Sequence, residues 1–104
     1  FIKKKEKFLE KVFTQREVDY CNSKPNRYER YAGRFCAKEA VSKALGTGVR
    51  NFKLTDMEIL NDELGKPIIY FNGQLGNLEK EYEIHLSISH CKDYATATAI
   101  IFKK

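Results

Sequence analysis

Arg34-Phe35-Cys36-Ala37-Lys38-Glu39-Ala40-Val41-Ser42-Lys43-Ala44-Leu45-Gly46-Thr47-Gly48 is the most informative stretch of the chain. It completes a helical pattern that begins near Arg27 and stops at Gly46-Thr47-Gly48, where glycine can end a helix. At about 100° per residue, Gly33, Ala37, Ala40 and Ala44 form one ridge of small side chains, which allows close approach of another backbone. Tyr28, Ala32 and Phe35 fall on the roughly opposite face, with Glu39 among them and Lys43 near; Arg34 and Lys38 make a third stripe. A helix with packing groups on two faces and charges between them is wedged among neighbours. Its charged groups are expected to line a cleft.

Outward from this helix the pattern changes character. Residues 1–13 read as a basic amphipathic helix, with Phe8, Leu9, Val12 and Phe13 at helical spacing and Lys3, Lys4, Lys5, Lys7 and Lys11 on the wet side. Thr14 followed by Glu17 has capping-box spacing, so a short second helix over Gln15 to Cys21 follows. Asn22 to Asn26, with Pro25, is a loop. After residue 50, Asp56 to Leu60 and Pro67 to Phe71 read as strands joined by a turn. Residues 72–82 are polar and carry no firm assignment. Ile84 to Ser89 and Tyr94 to Ala99 alternate as strands around a hairpin turn at His90-Cys91-Lys92-Asp93. The expected fold is a single α+β domain: N-terminal helices, a long central helix and an antiparallel sheet.

The 104 residues carry a net charge of +5, which favours an anionic partner. Cys21, Cys36 and Cys91 are odd in number and widely spaced, so they suggest neither a disulfide framework nor a zinc site. No apolar run approaches the roughly 20 residues of a membrane span, and a cytoplasmic location is expected.

Glu39 stands between Lys38 and Lys43. A hard cation such as Mg²⁺ is usually held by one or two carboxylates together with substrate phosphates. Nearby lysines and an arginine can neutralise charge developing on a phosphate leaving group. The same residues also read as an i,i+4 pair on a solvated helix, worth about 0.3–0.5 kcal/mol, and spacing alone favours that plainer reading. His85 and His90 form no zinc motif. His85 falls on the polar parity of its strand, and Ser87 and Ser89 read more simply as solvent-side residues than as nucleophiles.

Four ordered segments go further than spacing. Phe35, Lys38-Glu39-Ala40 and Lys43 resemble the second signature of the holo-acyl-carrier-protein synthases, in the 4'-phosphopantetheinyl transferase superfamily. Phe13-Thr14-Gln15-Arg16-Glu17 is similar to that family's early helix junction. Glu58 to Asp62 with Gly65-Lys66-Pro67 is similar to its central hairpin, and Leu86-Ser87-Ile88-Ser89-His90 with Tyr94-Ala95 to its terminal one. The resemblance implies transfer of the 4'-phosphopantetheine arm of coenzyme A to a serine of an apo acyl carrier protein, with adenosine 3',5'-bisphosphate leaving, in support of fatty acid biosynthesis. It implies Mg²⁺ and a homotrimer with active sites between subunits, acting on neither nucleic acid nor membrane. Glu39 would ligate the metal, and Lys43 would contact the diphosphate or assist proton transfer. Arg34, Lys38, Lys66, Ser89 and His90 would contact coenzyme A, with Gly46, Thr47, Gly48 and Pro67 shaping the nucleotide pocket. The basic first helix would meet the acidic carrier protein.

The family opens with a strand whose Gly-x-Asp motif supplies a second metal carboxylate, and the sequence in hand begins at Phe1, after it. The expectation is that this strand belongs to a longer chain; a molecule starting at Phe1 would bind Mg²⁺ weakly and turn over poorly. Two other readings remain: a small basic RNA-binding module, and a catalytically inactive carrier-binding domain. Against the first, the tyrosines are scattered and no strand interleaves basic and aromatic residues as a stacking platform does.

Overall fold

Thr14 ends one helix and starts the next. Its hydroxyl accepts from the Glu17 N–H at 3.3 Å, and the Glu17 carboxylate accepts from the Thr14 N–H at 2.9 Å, so the expected capping box is formed. It separates α1 (Ile2–Val12) from α2 (Gln15–Asn22). The central helix α3 (Arg27–Leu45) has the bounds its sequence pattern predicts, and the Gly46 N–H bonds back to the Ser42 and Lys43 carbonyls. The computed structural model describes residues 2–46, 52–90 and 93–104.

Two antiparallel hairpins follow, each a two-stranded sheet of its own. The first joins β1 (Met57–Asn61) to β2 (Pro67–Phe71), with Met57 opposite Phe71 and Asn61 opposite Pro67. Its turn is held by the Asp62 carboxylate, which accepts from the Leu64 N–H at 2.9 Å and the Lys66 N–H at 2.8 Å. Aspartate favours such turns because its side chain can satisfy the backbone a few residues on. The second hairpin joins β3 (Tyr82–His90) to β4 (Ala95–Lys103), with His90 opposite Ala95. Burial along β3 follows a period of two: Tyr82, Ile84, Leu86, Ile88 and His90 turn inward, while His85, Ser87 and Ser89 face out.

Both strands of the second hairpin lie against α3. The approach is closest at Gly33, where a Cβ would sit 2.9 Å from Cγ2 of Ile88. The core is built from Val41 of α3, Met57, Phe71, Leu75 and Leu78, with Ile84, Leu86 and Ala99 of the second hairpin packed against it.

Four details depart from the sequence reading. Asp56 belongs to a 3-10 turn (Leu54–Asp56) ahead of β1 rather than to the strand. The unassigned segment 72–82 folds as a 3-10 turn (Gly73–Leu75), a one-turn helix α4 (Leu78–Glu81) and the start of β3. Ala44 is exposed, so the close-packing ridge ends before it. The antiparallel strands form two sheets where one was expected.

Candidate active site

Arg34, Pro67 and His90 are 23 or more residues apart in sequence, yet they line one cavity of about 110 Å³. Arg30, Asn61, Gly65 and Ile88 complete its wall. Helix α3 supplies the arginines one turn apart, the first hairpin supplies Asn61, Gly65 and Pro67, and the inward end of β3 supplies His90. The arginines are held in place. Arg34 Nε donates to the Ile59 carbonyl at 3.1 Å, Nη2 donates to the Asn61 amide oxygen, and the guanidinium stacks 4.4 Å over the Tyr20 ring. Arg30 donates from Nη1 to the Tyr20 hydroxyl at 3.0 Å and from Nε to the Asn26 amide oxygen at 3.2 Å. A guanidinium has five N–H donors, so both retain donors that can meet an anion. Sequence reasoning found Arg34, Pro67 and His90 and missed Arg30, whose place on the Arg34 stripe was the available signal. Asn61 carried no signal apart from its hairpin position.

Glu39 lies one turn beyond Phe35 on α3 and is half-buried; Lys43, in the last turn, is exposed. The i,i+4 pairing that their spacing allowed is not made: Glu39 has no hydrogen bond or ion pair to any described residue. Thr47 and Gly48, expected to shape the nucleotide pocket, lie outside the described residues. Gly46 is exposed at the end of α3 and does not line the cavity.

Lys38 is a correction. It is fully buried rather than lining a cleft, and its three N–H groups are spent. They reach the Val12 carbonyl and the Glu17 carboxylate, each at 2.6 Å, and the Leu54 carbonyl at 3.1 Å. Burial pulls its ammonium below the ordinary value for lysine, and the Glu17 charge offsets part of that. The other Glu17 oxygen accepts from the Ile59 N–H at 2.9 Å. This pair therefore ties α1, α2, α3 and β1 together and has nothing left for a phosphate. Ser89 points to the outer face of β3, away from the cavity. Lys66 is exposed beside Pro67 and lines a neighbouring groove with Lys104.

A second concavity, about 680 Å³ and largely apolar, runs between α1 and α3, where Phe8, Leu9 and Phe13 face Tyr28, Tyr31 and Phe35. The rings of Phe8 and Phe35 meet at a tilt of 45° with centres 6.1 Å apart, and Phe8 is half exposed.

Among the described residues no three acidic, histidine or cysteine side chains cluster as a metal cage. Mg²⁺ does not require one, because substrate phosphates and water complete its shell. A half-buried carboxylate with no described partner, one turn from a lysine, fits that requirement, so Glu39 is a suitable protein ligand. No helix of the described residues is long and apolar enough to cross a membrane.

The family model described as the 4'-phosphopantetheinyl transferase superfamily matches residues 1–99. The chain belongs to this superfamily. A holo-[acyl-carrier-protein] synthase of Fusobacterium nucleatum is 54% identical over 101 residues, spanning 93% of this chain and 83% of that one. One from Clostridium tetani is 50% identical over 105 residues, spanning 96% and 82%. Solved phosphopantetheinyl transferase structures share the fold. A holo-(acyl-carrier-protein) synthase of Bacillus anthracis in complex with coenzyme A (3',5'-ADP) superposes with a TM-score of 0.76 at 38% identity, covering 97% of this chain and 84% of that chain. The Helicobacter pylori holo-[acyl-carrier-protein] synthase in complex with coenzyme A gives 0.80 at 29% identity, covering 96% and 85%. The α+β expectation and the family resemblance both hold.

Proposed function

We propose that the chain transfers the 4'-phosphopantetheine arm of coenzyme A to a serine of apo acyl carrier protein, releasing adenosine 3',5'-bisphosphate. The observation that carries this is the 54% identity to a holo-[acyl-carrier-protein] synthase across 83% of that protein's length. The convergence of Arg30, Arg34 and His90 on one small cavity supports it, since coenzyme A brings phosphates that need such partners.

In this reaction the serine oxygen attacks the phosphorus that bears the pantetheine arm. The bond from that phosphorus to the bridging oxygen breaks, the nucleotide leaves with the electron pair, and the serine gives up its proton. Arg30, Arg34 and His90 hold a phosphate of the nucleotide portion, and Asn61, Gly65 and Pro67 close over it. Lys43 sits at the end of α3, where a cation can balance the diphosphate and stay close to the departing proton. Glu39 would be a protein ligand for Mg²⁺. When bound, the ion neutralises charge on the diphosphate. The protein's share of such phosphoryl transfer is positioning and electrostatic stabilisation.

Helix α1 is the docking element for the carrier, supported by its lysines and by half-exposed Phe8 beside the α1–α3 groove. The enzyme acts as a homotrimer in the cytoplasm and serves fatty acid biosynthesis. Exposed Ile100 and Phe102 on the outer face of β4 support self-association. The test is release of adenosine 3',5'-bisphosphate, followed chromatographically. Release should require coenzyme A, apo carrier and Mg²⁺ together; release unaffected by leaving out the carrier would contradict the assignment.

A further inference from the structure

His90 has two unequal ring nitrogens. Nδ1 is buried and lies 3.5 Å from Oε2 of Glu29, and no described group forms a hydrogen bond with it. The ring cannot swing freely, because it packs against the backbone of α3: a Cβ on Gly33 would touch its Cδ2 at 3.4 Å. Glu29 is anchored in turn. Its Oε2 accepts from the Asn26 amide at 3.2 Å, and the Asn26 amide oxygen accepts from Arg30 Nε at 3.2 Å. One chain of polar contacts therefore runs from His90 through Glu29 and Asn26 to Arg30, and both of its ends line the same cavity.

We propose that Glu29 is the positioning residue for His90. Its carboxylate accepts a hydrogen bond from Nδ1–H and fixes the ring angle, and the doubly protonated ring then offers Nε2–H to the anion in the cavity. Both ring nitrogens of a protonated histidine are donors, and a carboxylate is a common partner for orienting such a ring. The inference rests on the proposed reaction, because it takes the anion to be a phosphate of coenzyme A.

The test is a double-mutant cycle read on the Michaelis constant for coenzyme A. Glu29→Ala should raise that constant about tenfold, the size expected for one charge-assisted hydrogen bond. Turnover at saturation should change by less than about twofold, since the interaction is made equally in the ground and transition states. Glu29→Gln, which keeps an acceptor and loses the charge, should fall between. In a His90→Ala background, Glu29→Ala should raise the constant by clearly less than it does in the wild type, leaving only its contact through Asn26 with Arg30. Thermal melting of each variant keeps a folding defect separate from a binding one. An unchanged or lowered constant in both Glu29 variants overturns the proposal. So does an effect of Glu29→Ala that is fully additive with His90→Ala, because the part of the carboxylate's effect that passes through His90 is lost once His90 is gone. If the wild-type enzyme transfers nothing, the proposed reaction falls, and the nitrogen-15 spectrum of the His90 ring still decides the pairing. A proton on Nδ1 that exchanges faster in Glu29→Ala supports it, and identical spectra overturn it.

Discussion

Replacing Glu39 with Gln removes one charge and almost no volume. Because the side chain has no described partner to lose, Glu39→Gln should leave the melting temperature unchanged while cutting Mg²⁺-dependent transfer about a hundredfold or more. Unchanged turnover would remove Glu39 from the metal site. Its neighbour Lys38 should behave in the opposite way. Lys38→Met strands the Glu17 carboxylate in the core, and breaking a buried pair from one side costs about 3–5 kcal/mol; chemical denaturation measures it. In sequence the two residues read alike, as charges flanking one helical stripe. What separates them is the turn at Thr14, which brings α2 over Lys38 and leaves Glu39 outside, and no local pattern encodes that distance. Cys21 offers a third test. Burial, with a smaller push from Glu17, raises its thiol above the ordinary 9.0, against a pull from Arg34 and Arg30. The folded chain then keeps a proton that the unfolded chain gives up, so this stabilisation is full below 9.0 and drains away as pH rises beyond it. The unfolding free energy of the wild type relative to Cys21→Ala should therefore fall above 9.0, by at most about 1.4 kcal/mol per pH unit. A difference that is flat with pH would contradict the burial argument.

At the scale of elements, the contact between α3 and β3 sets the cavity. Gly33→Ala would drive a methyl group into Ile88 and push the helix from the strand that carries His90. A cost of about 1–3 kcal/mol is expected for such overpacking, accompanied by weaker coenzyme A binding in calorimetry. Full affinity and stability in that variant would mean the strand yields at no cost. The helices and hairpins themselves were legible, because each announces its period and its turn chemistry locally: Thr14 with Glu17, Asp62 in the first hairpin, the alternation of β3 and β4. The stretch 72–82 was not. Its two buried leucines, Leu75 and Leu78, are too few to show a period. Its turn is fixed by a distant partner: at Gly73 a Cβ would lie 2.5 Å from the Asp56 carboxylate. For the site, the sequence brought out Arg34, Pro67 and His90 through a family resemblance. Arg30 could have been read from the Arg34 stripe, while Asn61 and Glu29 become visible only when two hairpins are laid on one helix.

At the scale of the whole molecule, a thin core and exposed Ile100 and Phe102 on one outer face predict that single chains do not stay alone. Sedimentation equilibrium should give three times the 12.1 kDa of one chain, and a monomer at every concentration would contradict the trimer. The partner that defines the proposed activity is the carrier protein. The most direct measurement is the intact mass of an apo acyl carrier protein after incubation with the enzyme, coenzyme A and Mg²⁺. The carrier should gain the mass of one phosphopantetheine arm on its serine, and EDTA should abolish the gain. A carrier that binds the enzyme yet keeps its apo mass with Mg²⁺ present would contradict the assignment as a transferase.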